Sequence, residues 1–482
     1  MPQRARREIA RDFMYLSTAR AFSLGVGLVR SLFIPGILGP SVYGMWKSFG
    51  IVQSYIQFSD LGALAALKRQ VPLHRMRGDE DALGEARDIA FLVNHVVLLA
   101  GAAILLAASF LVPDPTYSRG LRLYVLLLYV LHVHSFMEQF LYWRKQFAEA
   151  SRINLLLAVA EAALAITGTW AFGLDGLILG TFVGYAGAIL VQLRLISFDI
   201  GFRFKWSGYL ELVKIGFPSH VTGLLYNLLL SVDRLLILPF LGLDALGLYG
   251  LGMTLNEYLF QFAYSLGNAI SPRLVERFGS GESIESLRPM VEKSTFAIAV
   301  ASPVVLGAVF FAAPAVIEIA LPNFREAILP LRILLVGTYF SSLHRGLSSF
   351  FLTIRKQARL FPAYAGAIGL NAVLVVLALR AGLGIAGVAA ATSVALAAFS
   401  ITLIVMARLF FVKRVAEHLG FTGLLAAPLA WGCVAAWAGL EAGGRMFPGG
   451  GPALVAGAGL AVFGILYGPV LFAGYRTLRP SA

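Results

Sequence analysis

The sequence predicts an all-α polytopic membrane protein of about 14 transmembrane helices: two six-helix lobes related by a pseudo-two-fold along the membrane normal, plus a C-terminal helix pair. Three observations predict this class. Fourteen apolar blocks alternate with short hydrophilic loops, and each block approaches the roughly 20 residues that a helix needs to cross a bilayer. The chain is 58% hydrophobic and 13% charged, with mean hydropathy +0.78, against about 25% charged residues in soluble domains. Related signatures also recur in its two halves.

The blocks fall at 13–36, 44–66, 89–112, 121–142, 153–172, 174–196, 212–240, 245–270, 294–319, 327–352, 361–380, 384–407, 420–441 and 452–474. The first follows an Arg-rich start, as a signal peptide would. It carries Arg20 and Arg30 and lacks a small-residue cleavage site, so it reads as an uncleaved helix. The fourth ends on Arg144-Lys145-Gln146 and the tenth on Arg355-Lys356-Gln357. The single cysteine, Cys433, lies in the thirteenth block, which excludes disulfides within the chain and cysteine-based metal sites.

Charge orients the helices. With the N-terminus in the cytoplasm, the cytoplasmic loops hold 28 Lys and Arg and the opposite loops hold 6; the remaining 5 lie within spans. This bias is the positive-inside pattern, and it puts both termini in the cytoplasm of a cell inner (plasma) membrane protein. The net charge of +13 is then a topology signal facing anionic lipid, not a nucleic-acid surface.

The repeat fixes the lobes. The Arg-Lys-Gln triplets stand 211 residues apart, and the same offset carries Gly176 and Thr181 onto Gly387 and Thr392. Arg30 with LGPSVYG corresponds to Arg234 with FLGLDALGLYG at an offset near 204. Six spans per copy give both copies one orientation, with a substrate expected between them near the midplane. The divisions are residues 1–200 and 201–410 for the lobes and 411–482 for the added pair and cytoplasmic tail.

Charged side chains at a helix centre cost about 2.5–3.5 kcal/mol on insertion scales, so they should face a cavity or a partner. At 100° per residue the polar residues gather into stripes. Span 1 aligns Arg20, Ser23, Gly27, Arg30 and Ser31, and span 2 aligns Gly50, Gln53, Ser54, Gln57 and Asp60. Span 7 aligns His220, Gly223, Asn227, Ser231 and Arg234, span 8 Glu257, Gln261, Tyr264 and Asn268, and span 10 Thr338, Ser341, Arg345 and Ser349. The plain alternative is interhelical packing through small and polar residues. It suits Ser, Thr, Gly and Asn better than arginine.

The motifs LGPSVYG (38–44), FSDLG (58–62), IGFPS (215–219), SVDRLLI (231–237), LGLYGLG (246–252), NAISPRL (268–274) and GIAGVAAAT (384–392) resemble the multidrug/oligosaccharidyl-lipid/polysaccharide exporter superfamily, and within it the Wzx-type polysaccharide flippases. The resemblance implies alternating access and a substrate made of an oligosaccharide repeat on a polyprenyl diphosphate, flipped from the cytoplasmic to the outer leaflet for export of a cell-surface polysaccharide. Glycosyltransferases and a polymerase are the partners it implies. Arginine forks bind diphosphate oxygens in pairs, so Arg30, Arg234 and Arg345, with Arg20 and Lys47, are the candidate anion contacts. Gln53, Gln57, Asn227, Gln261 and Tyr264 are candidate partners for sugar hydroxyls. Glu257, Asp233, Glu161 and Asp60 are intramembrane acids able to carry a proton or bind sodium. Asp233 and Arg234 point about 100° apart on a helix, which makes a pair between them unfavourable; an arginine on another helix, such as Arg30 or Arg345, is the expected partner of Asp233.

No nucleotide-binding signature is present and no cofactor is expected. The loop KRQVPLHRMRGDEDALGEARD between spans 2 and 3 does not match the major facilitator signature. Short outer loops disfavour a membrane enzyme, and short cytoplasmic loops a scaffold. The alternatives within the superfamily are a lipid II-type flippase and a multidrug exporter; five cations within spans disfavour the latter.

Overall fold

The computed structural model describes residues 3–58, 60–67, 70–71, 79–195 and 201–478, without the side chains of 3–13, 80, 260–273 and 345–346. The described residues form twelve long α-helices: α1 (Gln3–Ile56), α2 (Glu80–Ser109), α3 (Pro115–Trp143), α4 (Phe147–Leu195), α5 (Trp206–Leu229), α6 (Val232–Gly279), α7 (Arg288–Ala320), α8 (Ile328–Thr353), α9 (Leu360–Arg380), α10 (Gly384–Arg408), α11 (Val415–Met446) and α12 (Pro452–Leu478). They make eleven continuous stretches long and apolar enough to cross a membrane. Three of these, of 43, 49 and 54 residues, are about twice the length one crossing needs. Each of the three is kinked, so the described residues accommodate all fourteen expected crossings.

The kinks have local causes. In α1, Gly39 adopts φ 72°, ψ 171° between Pro35 and Pro40, and in α6 Gly242 adopts φ 81°, ψ −169°. That conformation is almost confined to glycine, because a Cβ would collide with the backbone. In α4 the bend is at Phe172 and Gly173.

By packing, the chain divides into residues 1–227 and 228–482. The division falls inside α5, so most of that helix packs with the first unit. In that unit α1 packs on α4, and α4 on α3. Leu212 of α5 joins a core with Ala63, Leu67, Ile89 and Ala90. The backbones of Gly62 and Gly216 touch, so closely that a Cβ at Gly216 would lie 1.9 Å from the Gly62 carbonyl oxygen.

In the second unit α8 packs on α10 and α6, while the added pair α11 and α12 lies against α7. Phe311, Ala435, Phe463 and Tyr467 form their shared core. The Tyr467 hydroxyl donates to the Val300 carbonyl at 2.9 Å. Two ends of α7 and α10 are joined by Arg408 bonded to Glu292, and Arg288 donates to the same carboxylate at 3.1 Å.

The ends of α3 and α8 repeat one another atom by atom. Lys145 and Arg355 both have positive φ, 59° and 55°. Gln146 N–H bonds Leu141 O and Lys145 N–H bonds Tyr142 O; Lys356 N–H bonds Phe351 O and Arg355 N–H bonds Leu352 O. Both are Schellman ends, which satisfy the carbonyls left over when a helix stops. The geometry aligns Lys145 with Arg355, one residue away from the alignment that the triplet letters suggest.

Gly216→Ala should lower stability by about 1–3 kcal/mol, the usual range for overpacking a tight contact. Gly25, with nothing near a built Cβ, is the control. Thermal unfolding in detergent checks this: equal melting temperatures for the two variants would remove the close approach from the account.

Candidate functional site

Each unit holds a polar node centred on a side chain placed alike relative to its kink glycine. Arg30 stands nine residues before Gly39, and Asp233 nine before Gly242. Seven residues after each glycine come Trp46 and Tyr249, which touch Arg30 and Asp233 respectively. The structural counterpart of Arg30 is therefore Asp233, not Arg234. The letter alignment is off by one, because it matched the two arginines and left the glycines out of step.

In the first unit, Arg30 Nη2 lies 2.8 Å from Glu161 Oε1 and donates to Thr181 Oγ1 at 3.3 Å. Thr181 donates to the same Glu161 oxygen at 3.0 Å. The Arg30 guanidinium also stands 5.9 Å from the centre of the Trp46 ring. The pair is partly open, with the Arg30 side chain 26% and that of Glu161 10% exposed. Arg30 Nε is buried without a hydrogen-bond acceptor.

In the second unit, Asp233 is fully buried. Its Oδ1 accepts from Arg234 N–H at 2.7 Å, and its Oδ2 accepts from the Tyr249 hydroxyl at 2.6 Å. The Thr392 hydroxyl lies 3.3 Å from both Asp233 Oδ2 and Asn371 Oδ1. Among the described residues no cation forms an ion pair with Asp233. The expectation that adjacent Asp233 and Arg234 do not pair through their side chains holds, but the Arg234 backbone supplies a donor that helix-wheel reasoning ignores.

The seventh crossing is discontinuous. Helix α5 ends at Leu229 and α6 begins at Val232, with Ser231 at φ −129°, ψ −9°. The proposed stripe from His220 to Arg234 therefore breaks: rotation at 100° per residue does not carry across a non-helical turn. Arg234 instead donates through Nη2 to the freed Leu230 carbonyl at 2.8 Å, and its Nη1 lies 3.7 Å from Glu257. Its Nε, like that of Arg30, is buried and unpartnered. Asn371 Nδ2 reaches the Leu229 carbonyl at 3.5 Å.

A polar cavity of about 280 Å³ in the first unit gathers Gln53, Gln57, Asp60, Asn94, His132, Gln139 and His220. Asp60 is not on the helix that holds Gln53. Helix α1 stops at Ile56, and Asp60 sits in a turn, accepting from the N–H groups of Gly62 and Leu64 at 3.1 and 2.9 Å. His220 Nδ1 is 3.5 Å from Asp60 Oδ1, and His220 Nε2 is 2.7 Å from the Phe58 carbonyl. Asn227 donates to Ser54 Oγ at 3.2 Å. Asn94 and Gln139 escaped the sequence reading. His132, Ser135 and Gln139 share one face of α3 at i, i+3 and i+7, a signal that a stripe search over span 4 would have found.

Other expected residues stand apart. Arg20 is exposed. Lys47 lies over the Tyr43 ring at 5.0 Å, and Glu257 is 57% exposed at its side chain. The side chains of Arg345, Gln261 and Tyr264 lie outside the described residues. Among the described residues no group of three or more His, Cys, Asp or Glu is arranged to hold a metal ion.

This architecture is that of a multi-pass, all-α membrane protein. Residues 80–330 match the family described as "Polysaccharide biosynthesis protein", so the chain belongs to that family. No curated protein matches it in sequence. Its fold is similar to that of the lipid II flippase MurJ in an inward closed conformation, with TM-score 0.71 and 15% identity, over 96% of this chain and 99% of that one. It is also similar to an inward-facing multidrug resistance MATE family transporter of the MOP superfamily, with TM-score 0.67, 13% identity and coverage of 83% and 96%. A MOP superfamily transporter from Pyrococcus furiosus, described as having a binding pocket of reverse polarity, is similar with TM-score 0.60, 13% identity and coverage of 83% and 95%.

Removing one partner of the Arg30–Glu161 pair should cost more than removing both. With the pair partly exposed, a coupling of about 0.5–3 kcal/mol is expected. A double-mutant cycle of Arg30→Ala and Glu161→Ala, read by thermal unfolding, measures it. Additive effects would mean that the pair contributes nothing to stability.

Proposed function

We propose that the protein is a flippase, not an enzyme, moving a polyprenyl-diphosphate-linked oligosaccharide repeat unit from the cytoplasmic to the outer leaflet by alternating access. The product feeds export of a cell-surface polysaccharide. The carrying observation is that Arg30 and Arg234 lie within apolar crossings and each keeps a buried Nε–H without an acceptor. An unmade bond of this kind costs about 1–3 kcal/mol, and oxygens of an arriving diphosphate would recover it. The Arg30 contact with Glu161 and the 3.7 Å separation of Arg234 from Glu257 hold each guanidinium in the membrane while the ligand is absent. Membership of a polysaccharide biosynthesis family supports the sugar cargo.

Gln53, Gln57, Asn94, Gln139 and the two histidines of the polar cavity offer adaptable donors and acceptors for sugar hydroxyls. Asn227 and the side chains of Gln261, Tyr264 and Arg345 extend the proposed contact set, with Arg20 and Lys47 at its edge. Glycosyltransferases and a polymerase are the proposed partners, in an inner membrane with both termini in the cytoplasm. The two lobes are proposed as a duplication of six crossings each, followed by the added pair.

Asp233 is the proposed coupling residue. It is buried, lacks a counter-ion among the described residues, and has Thr392 and Asn371 close by. A proton or a sodium ion arriving there would neutralise it. Glu257 is the weaker candidate because it is largely exposed and faces Arg234; Glu161 faces Arg30, and Asp60 is held by His220 and two backbone N–H groups. A lipid II-type cargo is the second reading, favoured by the full-length similarity to the lipid II flippase fold, which includes the last helix pair.

Arg30→Ala and Arg234→Ala should each abolish polysaccharide export in cells at normal protein level and insertion; wild-type export with both replaced would remove them from the mechanism. Asp233→Asn should eliminate the ion dependence of transport in reconstituted vesicles while retaining headgroup binding. Unchanged ion dependence would assign the coupling elsewhere.

A further inference from the structure

An apolar slot of about 290 Å³ lies among α7, α8, α11 and α12, lined by Phe310, Val336, Cys433 and Trp437 with Arg332 as its one charged residue. It opens outward, since Trp437 is 67% exposed and Cys433 is also exposed. Along α11 it extends from Leu429 to Leu440, about 16 Å at 1.5 Å per residue. That is about half of a hydrocarbon core of about 30 Å, the depth of a single leaflet.

Arg332 stands near the start of α8, beside the short connection from α7. Its guanidinium lies 4.6 Å from the centre of the Phe310 ring, and its Nε is buried without an acceptor. Glu318 is near enough for its charge to act on Arg332, yet it makes no ion pair with it. The slot therefore combines an apolar channel of leaflet depth with a cation that no described acid pairs within ion-pair distance, at its membrane-surface end. Lipid anionic groups bind such a basic pocket between transmembrane helices, and chain burial adds about 0.8 kcal/mol per CH₂.

We infer that this slot binds one anionic phospholipid of the surrounding bilayer, its phosphate on Arg332 and one acyl chain between α7 and α11. The site is separate from the nodes at Arg30 and Asp233. It ties the added helix pair to α7 and α8 through a resident lipid. The occupant is a membrane lipid and not a soluble anion, because the cation is reached together with a channel that only a hydrocarbon chain would fill.

Cys433 is the only cysteine in the chain, so its alkylation reports on this slot alone. The full-length protein is reconstituted in phosphatidylcholine vesicles with or without phosphatidylglycerol, and labelling by a membrane-permeant maleimide is timed. Phosphatidylglycerol is expected to slow labelling several-fold in the wild type and in Arg332→Lys, and to have no effect in Arg332→Gln. Soluble glycerol phosphate added to phosphatidylcholine vesicles is expected to give no protection. Equal wild-type rates in the two lipids would overturn the proposal, as would protection that survives Arg332→Gln or protection by glycerol phosphate. The wild-type comparison stands even if a variant fails to fold.

Discussion

An ionised side chain inside a bilayer has to be neutralised, hydrated or used, and this constraint organises both halves of the molecule. In the first unit Arg30 is held by Glu161 and Thr181, with Trp46 beside it. In the second, Asp233 occupies the corresponding place, held by Tyr249, Thr392 and the Arg234 backbone. The scaffolds match at the kink glycines, at Trp46 and Tyr249, and at Thr181 and Thr392. The charge differs. The first unit carries a cation with a carboxylate partner, and the second a carboxylate without an ion pair among the described residues. In the proposed function this asymmetry separates headgroup recognition from ion coupling.

The break between α5 and α6 leaves backbone groups without helical partners beside Asp233. Ending a helix leaves carbonyls without intrahelical donors, and here Arg234 and Asn371 reach those of Leu230 and Leu229. Irregular backbone at membrane depth is tolerated where such partners exist. The break lies beside Asp233, so the acid and the freed carbonyls sit in one polar neighbourhood.

The number of crossings was legible in the sequence because apolar length is a direct consequence of bilayer thickness, and each block from 13–36 to 452–474 falls largely on helix among the described residues, with turns interrupting 44–66 and 212–240. Helix continuity was not legible. Composition does not distinguish a loop from a glycine kink, so the pairs at Gly39, Gly173 and Gly242 fuse into long bent helices. Register failed by one residue at Arg234 and at the Arg-Lys-Gln triplets, since matching letters ignores which residue carries the left-handed turn. Among the site residues, Arg30, Glu161 and Asp233 stand out by the rarity of intramembrane charge, but which of them pair was not legible. Tyr249, Asn94 and Gln139 do not stand out, because such residues are unremarkable in an apolar helix until packing gives them a neighbour.

The central claim is movement of a diphosphate-linked sugar lipid by this chain alone. Purified protein reconstituted into vesicles containing a fluorescent polyprenyl-diphosphate-linked oligosaccharide allows direct measurement, with an impermeant quencher reporting the share of substrate in the outer leaflet over time. The account predicts that substrate initially confined to one leaflet becomes accessible in the other at a rate far above protein-free vesicles, and that the same lipid without its diphosphate does not move. Movement no faster than in empty vesicles, or equal movement of the lipid lacking phosphate, would contradict it.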